Sequence, residues 1–273
     1  MNEPAFSDEL NVPVINIPRA ALLFAREIAY PDLNVASYLI KLDEIAEAAG
    51  KYASLASTIT EKAESLSDAL FTQLGFRGNS QEYADPRNSY LNEVLDRRLG
   101  IPISLSVVFI AAAQKLGIPA SGVGLPGHFI VLIEDPEGSI YLDPFHGGTR
   151  LSIDDCAQLV RTTTSYAGPF QKEWLQPVTP LAILTRMLNN LKNIYIQQEN
   201  WSYALKVVEH LRLAQPGHLE FLRDLGIIHH RSGSLRLAVR YYEQYLLGLP
   251  QAEDANTIIA HLHSAAQELA RLN

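Results

Sequence analysis

Leu125-Pro126-Gly127-His128-Phe129-Ile130-Val131-Leu132-Ile133-Glu134-Asp135-Pro136-Glu137-Gly138-Ser139-Ile140-Tyr141-Leu142-Asp143-Pro144 is the stretch on which the reading of the fold turns. Phe129 to Ile133 and Ile140 to Leu142 are short β-branched and aromatic runs, and Glu134 to Ser139 between them carries the Pro and Gly of a hairpin-type turn. Two strands joined in this way run antiparallel. His128, which opens the first, and Asp143, which closes the second, then stand near the same end of neighbouring strands, within hydrogen-bonding reach. With Val123 marking a further short run upstream, the middle of the chain reads as α+β.

Upstream the apolar period is helical. Ala21, Leu22, Ala25, Ile28 and Ala29, then Val35, Leu39, Leu42, Ile45 and Ala46, then Ile59, Ala63, Leu66, Leu70 and Leu74 predict three or four amphipathic helices between Ile17 and Gly75. Pro18 suits a first helical turn, Pro31-Asp32 separates two helices, and Gly50 and Gly75 read as C-terminal stops. Leu91 to Leu99 and Leu105 to Leu116 predict two more helices. Between them Gly100-Ile101-Pro102-Ile103-Ser104 is a turn that delivers a helix N-terminus.

Downstream of Leu151 comes a mixed segment with Pro169, Pro177 and Pro180, and then an all-helical region that repeats itself. A shift of 34 residues lays Leu191 on Leu225, Ile194 on Ile228, Ala204 on Ala238, Glu209 on Glu243 and Pro216 on Pro250. That is the tetratricopeptide period, one helix pair per unit. Small Ala204 and Ala238 allow two helices to approach closely, and the prolines end the second helix of each pair. Lys192 stands in the first unit where the second has Gly226. Ala255 to Leu272 adds a terminal helix.

Composition excludes several classes. With 273 residues, 47% apolar and 19% charged, the chain is neither disordered nor a collagen or coiled-coil rod. Its net charge is −8 and its longest basic run is Arg97-Arg98, so no nucleic-acid partner and no anionic membrane surface is expected. No stretch reaches the roughly 18 to 20 apolar residues that span a bilayer. One cysteine, Cys156, permits no internal disulfide, and Met1-Asn2-Glu3-Pro4 lacks the layout of a signal peptide, so the cytoplasm is the expected compartment. Zinc-ligand spacing, a P-loop and a dinucleotide fingerprint are all missing, so neither cofactor nor metal is expected. His229-His230 diverge by about 100° around their helix and do not converge on one ion.

Four ordered blocks carry a resemblance: Tyr83-Ala84-Asp85-Pro86-Arg87-Asn88-Ser89-Tyr90-Leu91, Gly100-Ile101-Pro102-Ile103-Ser104-Leu105-Ser106, Leu125-Pro126-Gly127-His128-Phe129, and Leu142-Asp143-Pro144-Phe145-His146-Gly147-Gly148. Together they resemble the SirB1 family, whose core is similar to the transglutaminase-like (papain-like) superfamily and is followed by tetratricopeptide-like helices. The resemblance implies a transglutaminase-like domain over residues 1–179, with a helical part at about 15–80 and a core at about 83–150, and repeats over 180–273. It also implies a catalytic trio. A cysteine at a helix N-terminus attacks an acyl carbon, a histidine opening a strand serves as base, and an aspartate on the next strand orients it. His128 and Asp143 match the last two roles.

The thiol has no match. The family places it about fifteen positions before the glycine that is Gly117 here, which leads to Pro102, with Ser104 the nearest hydroxyl. Cys156 follows Asp143 on no matching position and reads as a small buried apolar residue. Ser104 either caps the helix that follows or replaces the thiol in a Ser104-His128-Asp143 set. Asn88 either lines the cleft against a substrate amide or caps the next helix, and His146 is either a second cleft histidine or a solvent-facing loop residue. Two functions follow. The first is a degenerate, thiol-less transglutaminase-like module that binds a peptide or protein through its cleft or its repeats. The second is an acyl-transfer or hydrolytic enzyme with Ser104 as nucleophile.

Overall fold

The computed structural model describes residues 4–53 and 56–272. The chain divides into two compact units, residues 1–187 and residues 188–273.

The first unit opens with α1 (Phe6–Leu10), α2 (Ile17–Ile28), α3 (Val35–Ala53) and α4 (Ile59–Asp68). Their starts are chemically marked. Asn16 accepts the Arg19 amide and Pro18 lies in the first turn of α2, while Thr58 and Glu61 cap α4 reciprocally. The predicted apolar stripes are the buried ones: Ala21, Leu22, Ala25 and Ile28 on α2, Leu42 and Ala46 on α3, Ala63 and Leu66 on α4. Gly50 does not end a helix, because α3 runs through it to Ala53. A Cβ there would fall 2.6 Å from Leu116 Cδ2, so this glycine serves close packing. A π-helical turn, Ala69–Gln73, extends α4 and is followed by Gly75 at φ +75°.

β1 (Arg77–Gly78) is followed by α5 (Leu91–Arg97), then β2 (Leu99–Gly100), which pairs with β1 in parallel. α6 (Pro102–Lys115) starts three residues earlier than its apolar run suggests, because Pro102 itself occupies the first turn. It is apolar on all sides and correspondingly buried, with Leu105, Val107, Val108, Phe109, Ala112 and Ala113 sealed from solvent. Gly117, at φ +69°, turns the chain out of it.

The sheet is antiparallel throughout, in the order β3 (Ala120–Val123), β4 (Ile130–Ile133), β5 (Ile140–Asp143) and β6 (Thr149–Leu151). Every residue of β4 is buried, as a strand covered on both faces requires. One face carries Val123, Ile130 and Leu132, which join Cys156 and Val160 of α7 (Ile153–Thr163) and Leu175 in a single cluster. Neither β6 nor α7 stands out by apolar periodicity. β6 is a short exposed edge, and α7 is announced instead by the reciprocal Ser152–Asp155 cap.

α8 (Pro180–Gln197) contributes residues up to Met187 to the first unit and the rest to the second. The second unit continues with α9 (Trp201–Ala214), α10 (Glu220–Arg231), α11 (Leu235–Gly248) and α12 (Ala255–Arg271). Ala204 and Ala238 are fully buried, and Pro216 and Pro250 follow closely on the ends of α9 and α11. Lys192, in the place Gly226 holds one repeat later, points its ammonium at Asp224, 2.7 Å away. Gly226 itself is covered by the ring of Tyr242, and a Cβ there would stand 2.4 Å from Tyr242 Cδ1. Alanine gains about 1 kcal/mol of helix propensity over glycine. The forced retreat of a buried ring costs about 1–3 kcal/mol, so Gly226→Ala is expected to lower the stability of the repeats in urea denaturation.

Candidate functional site

The hairpin builds the site. β4 and β5 pair with Val131 opposite Leu142, which brings the residue two places before β4 alongside the end of β5. Gly127, at φ +72°, turns the chain into His128, whose backbone N–H closes the turn on the Leu125 carbonyl. At the other end Asp143 caps a 3-10 turn, Pro144–His146. Its Oδ1 accepts the backbone N–H of Phe145 at 3.0 Å and that of His146 at 3.4 Å. Asp143 is therefore a turn-former as well as a member of the candidate site.

Oδ2 of the same carboxylate receives two imidazoles. His128 Nε2 lies 2.9 Å away and His146 Nδ1 2.7 Å away. Both His128 and Asp143 are buried, whereas the His146 side chain is 56% exposed and stacks against His128 with ring centres 5.7 Å apart. An ionised carboxylate can only accept, so each neutral ring carries its proton on the nitrogen facing Asp143. His128 Nδ1 is left as a lone pair with no hydrogen bond to any described residue. Burial pushes the Asp143 carboxyl up, but the hydrogen bonds and charges of His128 and then His146 overcome it, and its pKa lies below the ordinary value.

Ser104 is not in this cluster. Its hydroxyl is fully buried, donates to the Asn88 carbonyl at 2.6 Å and accepts the Ile101 N–H at 3.1 Å. It makes no hydrogen bond to His128. Asn88 is equally committed to the fold. Its amide nitrogen donates to the Glu82 carbonyl at 2.7 Å, and its side-chain oxygen accepts from Asn79 at 3.1 Å. It does not cap the next helix, whose N-cap position is Tyr90. At the first turn of α6 stands Pro102, which offers neither thiol nor hydroxyl.

Cys156 sits in the apolar cluster with Val123, Ile130 and Leu132. Burial, reinforced by the charges of Asp155 and Asp143, pushes its thiol up to about 11. At pH 7 roughly one molecule in ten thousand then carries the thiolate that reacts. Cys156 is expected to resist iodoacetamide in the native protein and to be alkylated within minutes in denaturant, as mass spectrometry would record.

Three side chains that local sequence reasoning does not single out complete the surroundings. Phe145 stands edge-on to His128, to His146 and to Tyr83, with ring centres 6.1, 5.1 and 6.0 Å apart. Room for it exists because Gly78 has no Cβ, which would lie 2.6 Å from the Phe145 ring. Arg186 of α8 donates from Nη2 to the carbonyls of Leu125 at 3.0 Å and of His128 at 2.7 Å, and lies over the Phe129 ring. It has no carboxylate partner among the described residues, and burial draws its pKa below the ordinary arginine value. Arg186 is a positioning residue, since it holds the turn that delivers His128. Tyr83 and Phe145 belong to the quoted blocks, but nothing near Arg186 announces it 58 residues downstream of His128.

A core of this kind, with a His-Asp pair at the ends of neighbouring strands and helical repeats following in the chain, defines a class that comparison with known proteins identifies. Residues 36–189 match the transglutaminase-like superfamily, and residues 191–263 match the tetratricopeptide repeat. A UPF0162 protein of Xylella fastidiosa is 34% identical over 274 residues, covering 98% of this chain and 95% of the relative. F-box only protein 21 of Homo sapiens is 32% identical over 141 residues, which cover 48% of this chain and 21% of that protein. Among solved structures, the crystal structure of menin aligns with 94% of this chain and 72% of its own at 13% identity. Its TM-score of 0.41 is too low to carry an argument. The chain belongs to the transglutaminase-like superfamily and, within it, to the family of the UPF0162 proteins.

Proposed function

We propose that this protein is a binding module: a transglutaminase-like domain that keeps the His-Asp pair without a nucleophile, joined to tetratricopeptide helices, and that a peptide or protein segment is held by the cleft or by the repeats. The observation that carries this reading is the fate of the two candidate nucleophile positions. By the resemblance, the thiol's place falls on Pro102, and the Ser104 hydroxyl is turned to the Asn88 carbonyl. Without an attacking atom, a base and its orienting carboxylate have no acyl chemistry to assist.

What remains is a recognition surface. His128 Nδ1 keeps an acceptor lone pair with no partner among the described residues, Phe145 and Tyr83 supply aromatic contact, and the His146 side chain is exposed. Tetratricopeptide repeats in general stack helix pairs into extended binding surfaces, which is why the second unit is assigned to a protein partner. The test is selection of a random-peptide display library on the full chain. Peptides are expected to be enriched whose binding falls at least tenfold in His128→Ala. Enriched peptides that bind His128→Ala unchanged would remove the cleft from the proposal.

The second reading, a hydrolase or acyl transferase with Ser104, His128 and Asp143, is favoured by one feature, the unengaged lone pair on His128 Nδ1. For a serine to use that base, its Oγ has to leave both the Asn88 carbonyl and the Ile101 amide. Breaking two buried hydrogen bonds costs about 1–3 kcal/mol.

A further inference from the structure

We propose that His128 Nε2, Asp143 Oδ2 and His146 Nδ1 form a binding site for one divalent transition-metal ion of the zinc class. The three atoms lie within 4.8 Å of one another. Two imidazoles and one carboxylate form a donor set that selects zinc, cobalt or nickel over magnesium or calcium, which take oxygen ligands. With both rings neutral the site carries one negative charge from Asp143, which offsets half of the ion's charge.

The geometry needs little adjustment. Ligand atoms about 2.0–2.1 Å from a tetrahedral ion stand roughly 3.3 Å apart. The two nitrogens now stand 2.9 and 2.7 Å from Oδ2, so an opening of about half an ångström admits the ion. The exposed His146 has room to move on one side, and on the other a small tilt of the His128 ring or the Asp143 carboxylate supplies the same opening. The ligating carboxylate is already oriented, since Oδ1 is held by the N–H groups of Phe145 and His146, as outer contacts in metal sites do. On coordination each ring proton moves to the other nitrogen, Nδ1 of His128 and Nε2 of His146, neither of which hydrogen-bonds to a described residue, and no net proton is released. Three protein ligands leave a fourth position for water or a ligand group. In the ion's absence the two protons hold the same three atoms together.

The inference uses side chains of the proposed cleft but does not need a peptide ligand, because peptide binding is measured on chelator-treated protein and metal binding without peptide. The experiment is calorimetric titration of the chelator-treated full chain with zinc chloride, repeated with cobalt(II) to read its visible absorption band. The expected result is one ion per chain at micromolar affinity or tighter, weakened at least tenfold in His146→Gln, with a cobalt band that this variant loses. His146→Gln alters an exposed side chain, and its circular dichroism checks that it folds. No saturable uptake would overturn the proposal. So would uptake that His146→Gln leaves unchanged, which would place the ion on other histidines.

Discussion

Asp143→Ala is expected to destabilise the transglutaminase-like domain by about 3–5 kcal/mol, the summed cost of leaving a buried imidazole N–H and two turn amides without their acceptor. The carboxylate is 1% exposed and accepts from His128, His146 and two backbone amides. Its loss leaves the buried His128 ring with an unanswered N–H and uncaps the 3-10 turn, and nothing else among the described residues stands ready to receive either donor. Asp143→Asn keeps an acceptor oxygen and is expected to cost less, about 1–2 kcal/mol. Urea denaturation followed by circular dichroism separates the two, and equal costs would mean that the acceptor oxygen kept by Asn contributes nothing and that the carboxylate charge carries the whole effect.

The second large effect is expected at Gly148. Its φ is +73°, a Cβ there would stand 1.7 Å from Ser67 Oγ and 2.6 Å from Phe71, and the Ser67 hydroxyl donates to its carbonyl. Ser67 can rotate away at the cost of that hydrogen bond. Phe71 cannot, because it stacks on the buried Phe109 with ring planes 3° apart. Gly148→Ala is therefore expected to cost about 3 kcal/mol, from the left-handed backbone and the overpacking together. Gly147 supplies the control. It has the same φ of +73° with open space around its missing Cβ, so Gly147→Ala is expected to cost only about 1 kcal/mol. Thermal denaturation of the two variants side by side measures the difference, and similar losses would show that backbone conformation alone governs this turn. Because Gly148 N–H also closes on the Asp143 carbonyl, the first variant is expected to disturb the His146 position as well.

These residues also show what is legible in a chain and what is not. The His128–Asp143 pair follows from strand period and one turn, because an antiparallel hairpin fixes which ends meet. The repeat follows from a 34-residue offset because each helix pair needs the same small and helix-ending residues at the same places. Gly50 reads as a stop but serves as a contact, since a glycine's meaning depends on the neighbour that a sequence does not name. β6 is hidden because an exposed edge strand has no apolar alternation. Arg186 is hidden more deeply, since its role is set by two backbone carbonyls brought to it only by folding. Ser104 lies between these cases. Its cap-like bond to the Ile101 amide is local and predictable, but its proton goes to Asn88, 16 residues away.

The claim that the domain has kept a base and lost its nucleophile is tested most directly by intact-mass measurement of the full chain after incubation with a serine-directed fluorophosphonate. Turnover of a panel of activated esters and peptide amides is followed in parallel. The expected result is no adduct on Ser104 and no turnover beyond that of His128→Ala. A stoichiometric Ser104 adduct, with turnover abolished by both Ser104→Ala and His128→Ala, would contradict it.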